Sequence, residues 1–312
     1  MQPLVAVTET LSPAAMTWLR SKCEVVQASP GSATFASNVS RVQGLVVRTL
    51  TRVDHALLRS LPALKVVGRA GVGLDNIDLQ ACRERGVTVV STPDANTQAV
   101  VEYVLSLLCD AMRPRVFLEQ PVDAEAWERI RSEICGVKQM DECTLGILGL
   151  GRIGSRVAQV AHAIGFEVRY NDLRDIPAEQ RHGATPVSIE RLFAESDVLT
   201  LHIDGRPSNR HAVHASLIAS MKPDVLLLNT CRGFVLDHQA LRHFLTDNRG
   251  AQALLDVHEP EPFGTNHPLL GLTNAHLAPH LASRTRTAME RMSWVVRDVV
   301  AVLRGETPQF PA

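Results

Sequence analysis

The stretch Thr144-Leu145-Gly146-Ile147-Leu148-Gly149-Leu150-Gly151-Arg152-Ile153-Gly154 decides how the rest of the chain is read. A short apolar strand runs into a glycine turn, and the turn opens a helix expected over 155–164. Gly149, Gly151 and Gly154 have the G-x-G-x-x-G spacing. The first glycine permits the tight turn, the second lets the backbone approach a pyrophosphate, and the third lets helix and strand pack closely. The helix N-terminus offers unpaired N–H groups and the positive end of a dipole. A second strand is expected over 167–171. Asp172 then stands eighteen positions after Gly154, where a carboxylate can accept hydrogen bonds from an adenosine ribose. Strand, turn, helix, strand and acid in that order predict dinucleotide binding rather than an ordinary βαβ unit with a capping Asp.

The alternation extends both ways from this unit. Upstream, strands are expected at 4–7, 24–26, 44–48, 64–67 and 87–90. Helices lie between them: one capped by Ser12 with Pro13 at its first position, others over 53–60 and 76–85. Residues 28–40 read as a loop with one helical turn. A long apolar helix, Thr97–Met112, leads out of this first region. Residues 113–142 read as polar and irregular, with Trp127 as the main apolar anchor. Downstream, helices are expected at 189–195, 215–221 and 237–246, and strands at 198–203, 225–229, 253–255 and 275–277. One long helix over 287–303 closes the chain. Strands alternating with helices predict an α/β fold of doubly wound parallel sheets, covered on both faces. Because the chain crosses out through Thr97–Met112 and a late helix can cross back, a discontinuous first domain is expected. It comprises 1–98 and 287–312, with 99–286 as the dinucleotide-binding domain. A ligand cleft is expected between them, at the carboxyl ends of the strands.

Composition excludes several classes. The 312 residues suffice for two ordinary domains, and 45% hydrophobic with 21% charged residues suits buried cores. A formal charge of -1 points to neither a nucleic-acid nor a membrane partner. No apolar run is long enough to span a bilayer, and Met1-Gln2-Pro3-Leu4-Val5 does not start a secretory signal. The six cysteines are scattered without a C-x-x-C pair, which reads as reduced thiols in a cytoplasmic protein.

In an open parallel sheet, polar residues just past strand ends face the ligand crevice. Arg232 follows strand 225–229; Asp256, His258, Glu259 and Glu261 follow 253–255; His280 follows 275–277; Arg69-Ala70-Gly71-Val72-Gly73 follows 64–67. A guanidinium suits a carboxylate through two parallel hydrogen bonds, and an imidazole oriented by a carboxylate suits proton exchange near neutral pH. With a nicotinamide cofactor these groups suit hydride transfer at an alcohol carbon beside a carboxylate. The N–H groups of Val72 and Gly73 are expected to help hold that carboxylate. Each residue also has a structural reading: a helix-start arginine, a solvated loop glutamate, a buried hydrogen-bonded histidine. Their recurrence on successive strand ends favours the chemical one. His258, Glu259, Glu261 and His267 match no metal-ligand spacing, and Pro260 and Pro262 prevent a helical ligand face, so no metal is expected. Cys231 reads as a spectator thiol.

These same residues carry a resemblance. Residues 69–78, Val100-Val101-Glu102, 144–154, Asn229-Thr230-Cys231-Arg232-Gly233, 255–262 and Pro279-His280 resemble the D-isomer-specific 2-hydroxyacid dehydrogenases, from about Val46 to the final helix. The resemblance implies a Rossmann-type NAD domain inserted in a flavodoxin-like substrate domain, and a homodimer. It assigns catalytic roles to Arg232, Glu261 and His280. It places cofactor contacts on Gly149, Gly151, Arg152, Ile153, Gly154, Asp172, His202, Thr230 and Asp256. Asp172 favours NAD, since its carboxylate repels a 2′-phosphate, with NADP as the alternative left open by Arg169 and Arg174 nearby. One departure is Asp204, in His202-Ile203-Asp204, where many members carry His-x-Pro. Arg48 and Arg69 look like the arginines that 3-phosphoglycerate dehydrogenases use for substrate, so substrate-binding residues are expected at Arg48, Arg69, Val72 and Gly73. A small anionic 2-hydroxy acid, 3-phosphoglycerate first, is the expected substrate. Hydroxypyruvate or glyoxylate reductase, an erythronate-4-phosphate dehydrogenase-like enzyme, and an NAD(H)-dependent corepressor-like dimer are the alternatives.

Overall fold

The computed structural model describes residues 2–136 and 138–312, and the chain divides into two compact units. Unit 1 is Met1–Ala99 with Ser283–Ala312, and unit 2 is Val100–Ala282.

Unit 1 contains strands β1 (Leu4–Val7), β2 (Glu24–Gln27), β3 (Val42–Val47), β4 (Val66–Arg69) and β5 (Thr88–Val90). They form one parallel sheet in the order β2-β1-β3-β4-β5, the flavodoxin-like order. The pleat sends Leu4, Ala6, Leu45, Val47 and Val67 to one face and Val5, Val7, Val46 and Val66 to the other. Both faces are therefore apolar, as a sheet covered on two sides requires. The C-terminal helix Val296–Leu303 covers the second face through Val296, Val299 and Val300. It can approach because β3 carries Gly44, where a Cβ would lie 3.2 Å from Val299 Cγ1 and 3.3 Å from Leu303 Cδ1. Ser12 caps helix Pro13–Arg20 by accepting from Ala15 N, as its sequence predicts.

Unit 2 contains β6 (Thr144–Leu148), β7 (Glu167–Asn171), β8 (Thr185–Pro186), β9 (Val198–Leu201), β10 (Leu226–Asn229), β11 (Gln252–Leu255) and β12 (Ala275–Leu277). All pairings are parallel, in the order β12-β11-β10-β9-β6-β7-β8, the Rossmann order with its switch between β6 and β9. Leu145, Ile147, Leu226 and Leu228 face one core, and Leu148, Leu199, Leu227 and Leu255 the other.

Four local expectations need correction. The nucleotide-loop helix starts at Arg152, directly behind Gly151, rather than three residues later. Residues 113–142 are not irregular throughout: Asp123 caps helix Ala124–Glu133 and a 3-10 turn spans Met140–Glu142. Trp127 is not a buried anchor; it is 50% exposed, and no residue of its helix is buried. The closing helix is two, Arg286–Ser293 and Val296–Leu303. Ser293 Oγ donates to Met289 O, a back-bond that bends helices, and accepts from Ser12 N. The two-residue strand β8 lies among exposed polar residues and gave no apolar run to read.

Candidate active site

The carboxyl edge of the seven-stranded sheet carries most of the residues singled out above. After β6, Gly149 has φ +93, and a Cβ there would lie 2.8 Å from His202 O, just past β9. The first glycine thus closes the switch point against the neighbouring strand's loop. A Cβ on Gly154 would strike the Gly149 carbonyl group and lie 3.2 Å from Ile147 Cγ2, so the third glycine sets the helix tight on the turn. A Cβ on Gly151 would meet nothing within 4 Å, and this residue caps its helix without a side-chain hydrogen bond. Its N-terminal N–H groups are therefore left to a ligand.

Asp172 follows β7. Its Oδ2 accepts from Leu150 N at 2.8 Å and its Oδ1 from Arg174 N at 2.9 Å and Arg174 Nε at 3.1 Å. Burial raises its pKa, but the hydrogen bonds from Arg174 and Leu150 outweigh that and hold the carboxyl below the usual aspartate value. The acid is ionised and fixed to the glycine loop, and Arg174 already screens it. His202, after β9, makes a 2.9 Å hydrogen bond with Thr200, and burial pushes its pKa down to about 3, so its ring is neutral. Asp204 is occupied on its own loop: it pairs with Arg206, whose Nε is 2.7 Å away, and accepts from Asn209 Nδ2 at 3.0 Å.

After β10, Asn229 shapes the next turn. Its Oδ1 accepts from Cys231 N and Cys231 Sγ, and its Nδ2 donates to Arg232 O. Arg232 Nη1 donates to Cys231 O at 2.6 Å. Burial pushes the Cys231 thiol up to about 11, consistent with a spectator. Thr230 Oγ1 is buried and has no hydrogen-bond partner among the described residues. A Cβ on Gly233 would overlap the His258 backbone, so only glycine lets the Arg232 turn close on the loop after β11.

That loop holds Glu261, with cis peptides before Pro260 and Pro262. Glu261 Oε1 accepts from His258 N at 2.8 Å, and Oε2 lies 2.7 Å from His280 Nδ1. Burial raises the Glu261 pKa, but the bonds from His280 and His258 reverse this and hold the carboxyl below its ordinary value. An ionised carboxylate only accepts, so His280 Nδ1 carries the proton and Nε2 is the atom able to take another. His280 has φ +56. Its N–H donates to Asp256 O, while Leu281 N and Ala282 N donate to the Asp256 carboxylate at 2.6 and 2.8 Å. Asp256 is 1% exposed, and burial raises its pKa despite those bonds.

Sequence reading missed two contributors here, Tyr103 and Asn229, and named His258 only as a polar residue past a strand end. Burial, and then the charge of Asp256, raise the Tyr103 pKa, which puts its hydroxyl close to that acid, yet its residue sits in an apolar helix that reads only as core. Asn229 could have been found as a polar residue ending an apolar strand just before Arg232. His258 links the two loops, its Nε2 lying 2.8 Å from Ala278 O.

In unit 1, Arg48 donates from Nη1 to Thr10 O at 3.2 Å and from Nη2 to Met289 Sδ at 3.0 Å. Arg69 is buried, and its Nη1 donates to Ala70 O. Gly71 has φ +153.

The open approach at Gly151, the uncapped helix start, the fixed carboxylate of Asp172 and the orphaned Thr230 hydroxyl fit a dinucleotide. Together with the Arg, Glu and His at neighbouring strand ends, they define an NAD-linked oxidoreductase of the α/β class. Residues 105–282 match the family model described as "D-isomer specific 2-hydroxyacid dehydrogenase, NAD binding domain". The chain is 35% identical to glyoxylate reductase of Aeropyrum pernix, over 98% of this chain and 95% of that protein. It is 36% identical to (S)-sulfolactate dehydrogenase of Chromohalobacter salexigens, over 95% and 96%. It is 32% identical to D-3-phosphoglycerate dehydrogenase of Archaeoglobus fulgidus, over 96% of this chain but 57% of that protein. The structure of D-lactate dehydrogenase from Aquifex aeolicus, complexed with NAD and lactic acid, superposes with a TM-score of 0.84 at 25% identity, covering 97% and 96% of the two chains. The chain belongs to the D-isomer specific 2-hydroxyacid dehydrogenases, and is an NAD-dependent enzyme. Among the described residues no helix is long and apolar enough to cross a membrane.

Proposed function

We propose that the enzyme interconverts a small 2-hydroxy acid and its 2-oxo acid, and that Arg232, Glu261 and His280 carry the chemistry. The observation that carries this reading is the 2.7 Å contact between Glu261 Oε2 and His280 Nδ1, at the ends of adjacent strands. When bound, the nicotinamide supplies the hydride acceptor or donor. In oxidation His280 Nε2 takes the hydroxyl proton as the C2 hydride leaves, and Glu261 stabilises the imidazolium that forms. Arg232 holds the substrate carboxylate and the C2 oxygen, a task suited to its permanent charge and forked donors. In reduction His280 returns the proton. The N–H groups of Val72 and Gly73 contribute to carboxylate binding. The cofactor residues are those at the carboxyl edge, with Gly149, Gly151, Arg152, Ile153 and Gly154 at the phosphates, Asp172 at the ribose, and His202, Thr230 and Asp256 further along.

For the substrate we propose a three-carbon 2-hydroxy acid with a second anion on C3, 3-phosphoglycerate first. Arg48 supports this. It is half-buried, and among the described residues no ion pair neutralises its guanidinium. Arg69 lies at the end of the neighbouring strand β4. A sulfonate in place of the phosphate is the second reading, favoured by the sulfolactate relative that matches along nearly its full length. NAD reduction is measured with 3-phosphoglycerate, sulfolactate, D-glycerate and D-lactate, and NADH oxidation with glyoxylate. Higher kcat/KM for glyoxylate or D-lactate than for both C3-anionic acids would overturn the substrate reading.

We also propose a cytoplasmic homodimer. Val116, Phe117 and Leu118 are 52, 83 and 44% exposed, beside the helix Ala124–Glu133 that buries none of its residues. A ten-residue helix with no fully buried residue has little to hold it in water, so a second copy is the proposed cover.

A further inference from the structure

At the switch point of the five-stranded sheet, between β1 and β3, a carboxylate has been built into a turn. Glu9 stands two residues past β1. Its Oε1 accepts from Arg48 N at 2.9 Å and Thr51 N at 3.0 Å. Its Oε2 accepts from Thr49 N and Leu50 N, both at 3.1 Å. Four consecutive backbone N–H groups thus converge on one side chain, the arrangement that otherwise forms an anion-binding nest. The turn is closed from the other side. Asn76 Nδ2 donates to Arg48 O at 2.9 Å and Thr51 O at 2.7 Å, and the hydroxyls of Thr8 and Thr51 are 2.7 Å apart.

This carboxylate is spent on the backbone rather than on the adjacent guanidinium. The Arg48 side chain turns instead to Thr10 O and Met289 Sδ. Burial and the nearby charge of Arg284 disfavour its charged form, the Glu9 carboxylate favours it, and neither arginine has an ion pair among the described residues. Two neighbouring cations beside a switch point, with the one nearby acid committed to the backbone, suit an anion, and switch points are where open α/β sheets bind ligands.

We propose that Glu9 is a positioning residue, which holds the turn 48–51 and thereby aims Arg48 at the second anion of the substrate. The inference rests on the C3-anionic substrate reading given above. The supporting electrostatics agree: burial raises the Glu9 pKa, but the backbone N–H groups of Leu50, Thr51 and Arg48 outweigh it and keep the carboxyl below its ordinary value. A carboxamide cannot replace it, because its NH2 would face two N–H donors.

The test compares Glu9→Gln, Glu9→Asp and Arg48→Met with the wild-type enzyme. For each, KM is measured for 3-phosphoglycerate and for glyoxylate, with the NADH Kd and amide hydrogen exchange at 48–51. Glu9→Gln is expected to raise KM for 3-phosphoglycerate about tenfold more than KM for glyoxylate, with NADH Kd unchanged, and to speed exchange at Thr49–Thr51 by tenfold or more. Glu9→Asp keeps two acceptor oxygens and recovers part of the selectivity; it also carries the comparison if Glu9→Gln does not fold. Arg48→Met is expected to lose the same selectivity without faster exchange. If Arg48→Met matters and Glu9→Gln leaves selectivity unchanged, the positioning role is overturned. If Arg48→Met itself leaves selectivity unchanged, the substrate reading falls and the positioning role with it.

Discussion

Gly149 and Gly151 stand two residues apart in one turn, and the structure separates their work. An alanine at Gly149 would carry a Cβ 2.8 Å from His202 O, 2.9 Å from His202 C and 3.0 Å from Ile203 Cγ2. All are inside the 3.4 Å at which ordinary contact begins, and two belong to backbone that cannot rotate away. The position also has φ +93, which an L side chain rarely adopts. Left-handed strain of about 1–2 kcal/mol and overpacking of about 1–3 kcal/mol put the combined loss at about 2–5 kcal/mol. Gly151 differs on both counts. Its φ of -81 and ψ of -156 suit alanine, and its Cβ would meet nothing within 4 Å. Gly151→Ala should leave the apo protein as stable as wild type or more stable by about 0.4–1 kcal/mol. The same methyl stands where the pyrophosphate must approach, and overpacking of about 1–3 kcal/mol there weakens NADH about 5–150-fold. Thermal unfolding of the apo protein and NADH titration by fluorescence make the comparison. Gly149→Ala is expected to lose both stability and binding, Gly151→Ala binding alone. Equal destabilisation by the two changes, or wild-type NADH affinity in Gly151→Ala, would refute the division.

Other outcomes follow from the site. His280→Ala should lower kcat by about 10²–10⁴-fold while NADH Kd stays near wild type, and unchanged turnover would remove the residue from the mechanism. Glu261→Gln keeps an acceptor for His280 Nδ1 but loses its charge, worth about 1–1.5 kcal/mol, so kcat should fall roughly tenfold; a loss as large as that of His280→Ala would mean that Glu261 does more than orient and stabilise. Burial, with the charges of His267 and His258, lowers the His238 pKa from 6.5 to about 4. The unfolded chain then binds the proton first, so stability is full above about pH 6.5 and falls as pH drops towards 4. Urea midpoints at pH 7.5 and 5 should show this drop, and His238→Phe should shrink it; equal drops in the two proteins would refute the assignment. Phe117→Asp with Trp127→Asp should convert the dimer to monomer in light scattering, and an unchanged mass would show that this segment is not the interface.

Much of this was legible because parallel α/β sheets write their plan into the sequence. Apolar runs such as 144–148 and 226–229 are buried on both faces, so they stand out without alternation. Helix starts were legible where a cap and a proline coincide, as at Ser12-Pro13. What stayed hidden depends on contacts distant in sequence. Ala124–Glu133 carries an apolar stripe in Trp127 and Ile130, but it lies in a polar segment and none of its residues is buried within the described structure, so nothing in the chain marked it as packed. The break after Ser293 depends on Ser12, 281 positions away. Of the candidate site, the residue types at strand ends could be named one by one. Their grouping on successive strand ends could be expected too, but not their contacts, since Glu261, His280 and Asp256 meet only once β11 and β12 lie side by side. Glu9 was invisible for a related reason: its partners are main-chain N–H groups, which have no residue identity.

The left-handed backbone of His280 ties these observations to the chemistry. A non-glycine residue at φ +56 costs on the order of 1–3 kcal/mol and persists only where its surroundings impose it. Asp256 imposes it three times over, through its carbonyl to His280 N and its carboxylate to Leu281 N and Ala282 N. Two hydrogen bonds from N–H groups to a carboxylate, at about 1.5–3 kcal/mol each, together outweigh that strain. The geometry explains why the acid is buried although no arginine or lysine pairs with it: its partners are the backbone of the loop it holds. It also explains why Pro279 and His280 leave β12 with the imidazole already beside Glu261, rather than depending on ligand binding to bring them together. In the proposed role of proton acceptor, an imidazole held in this way needs no rearrangement at the moment of transfer. On the proposed mechanism, Asp256 is thus the residue that sets His280 against Glu261 at two adjacent strand ends.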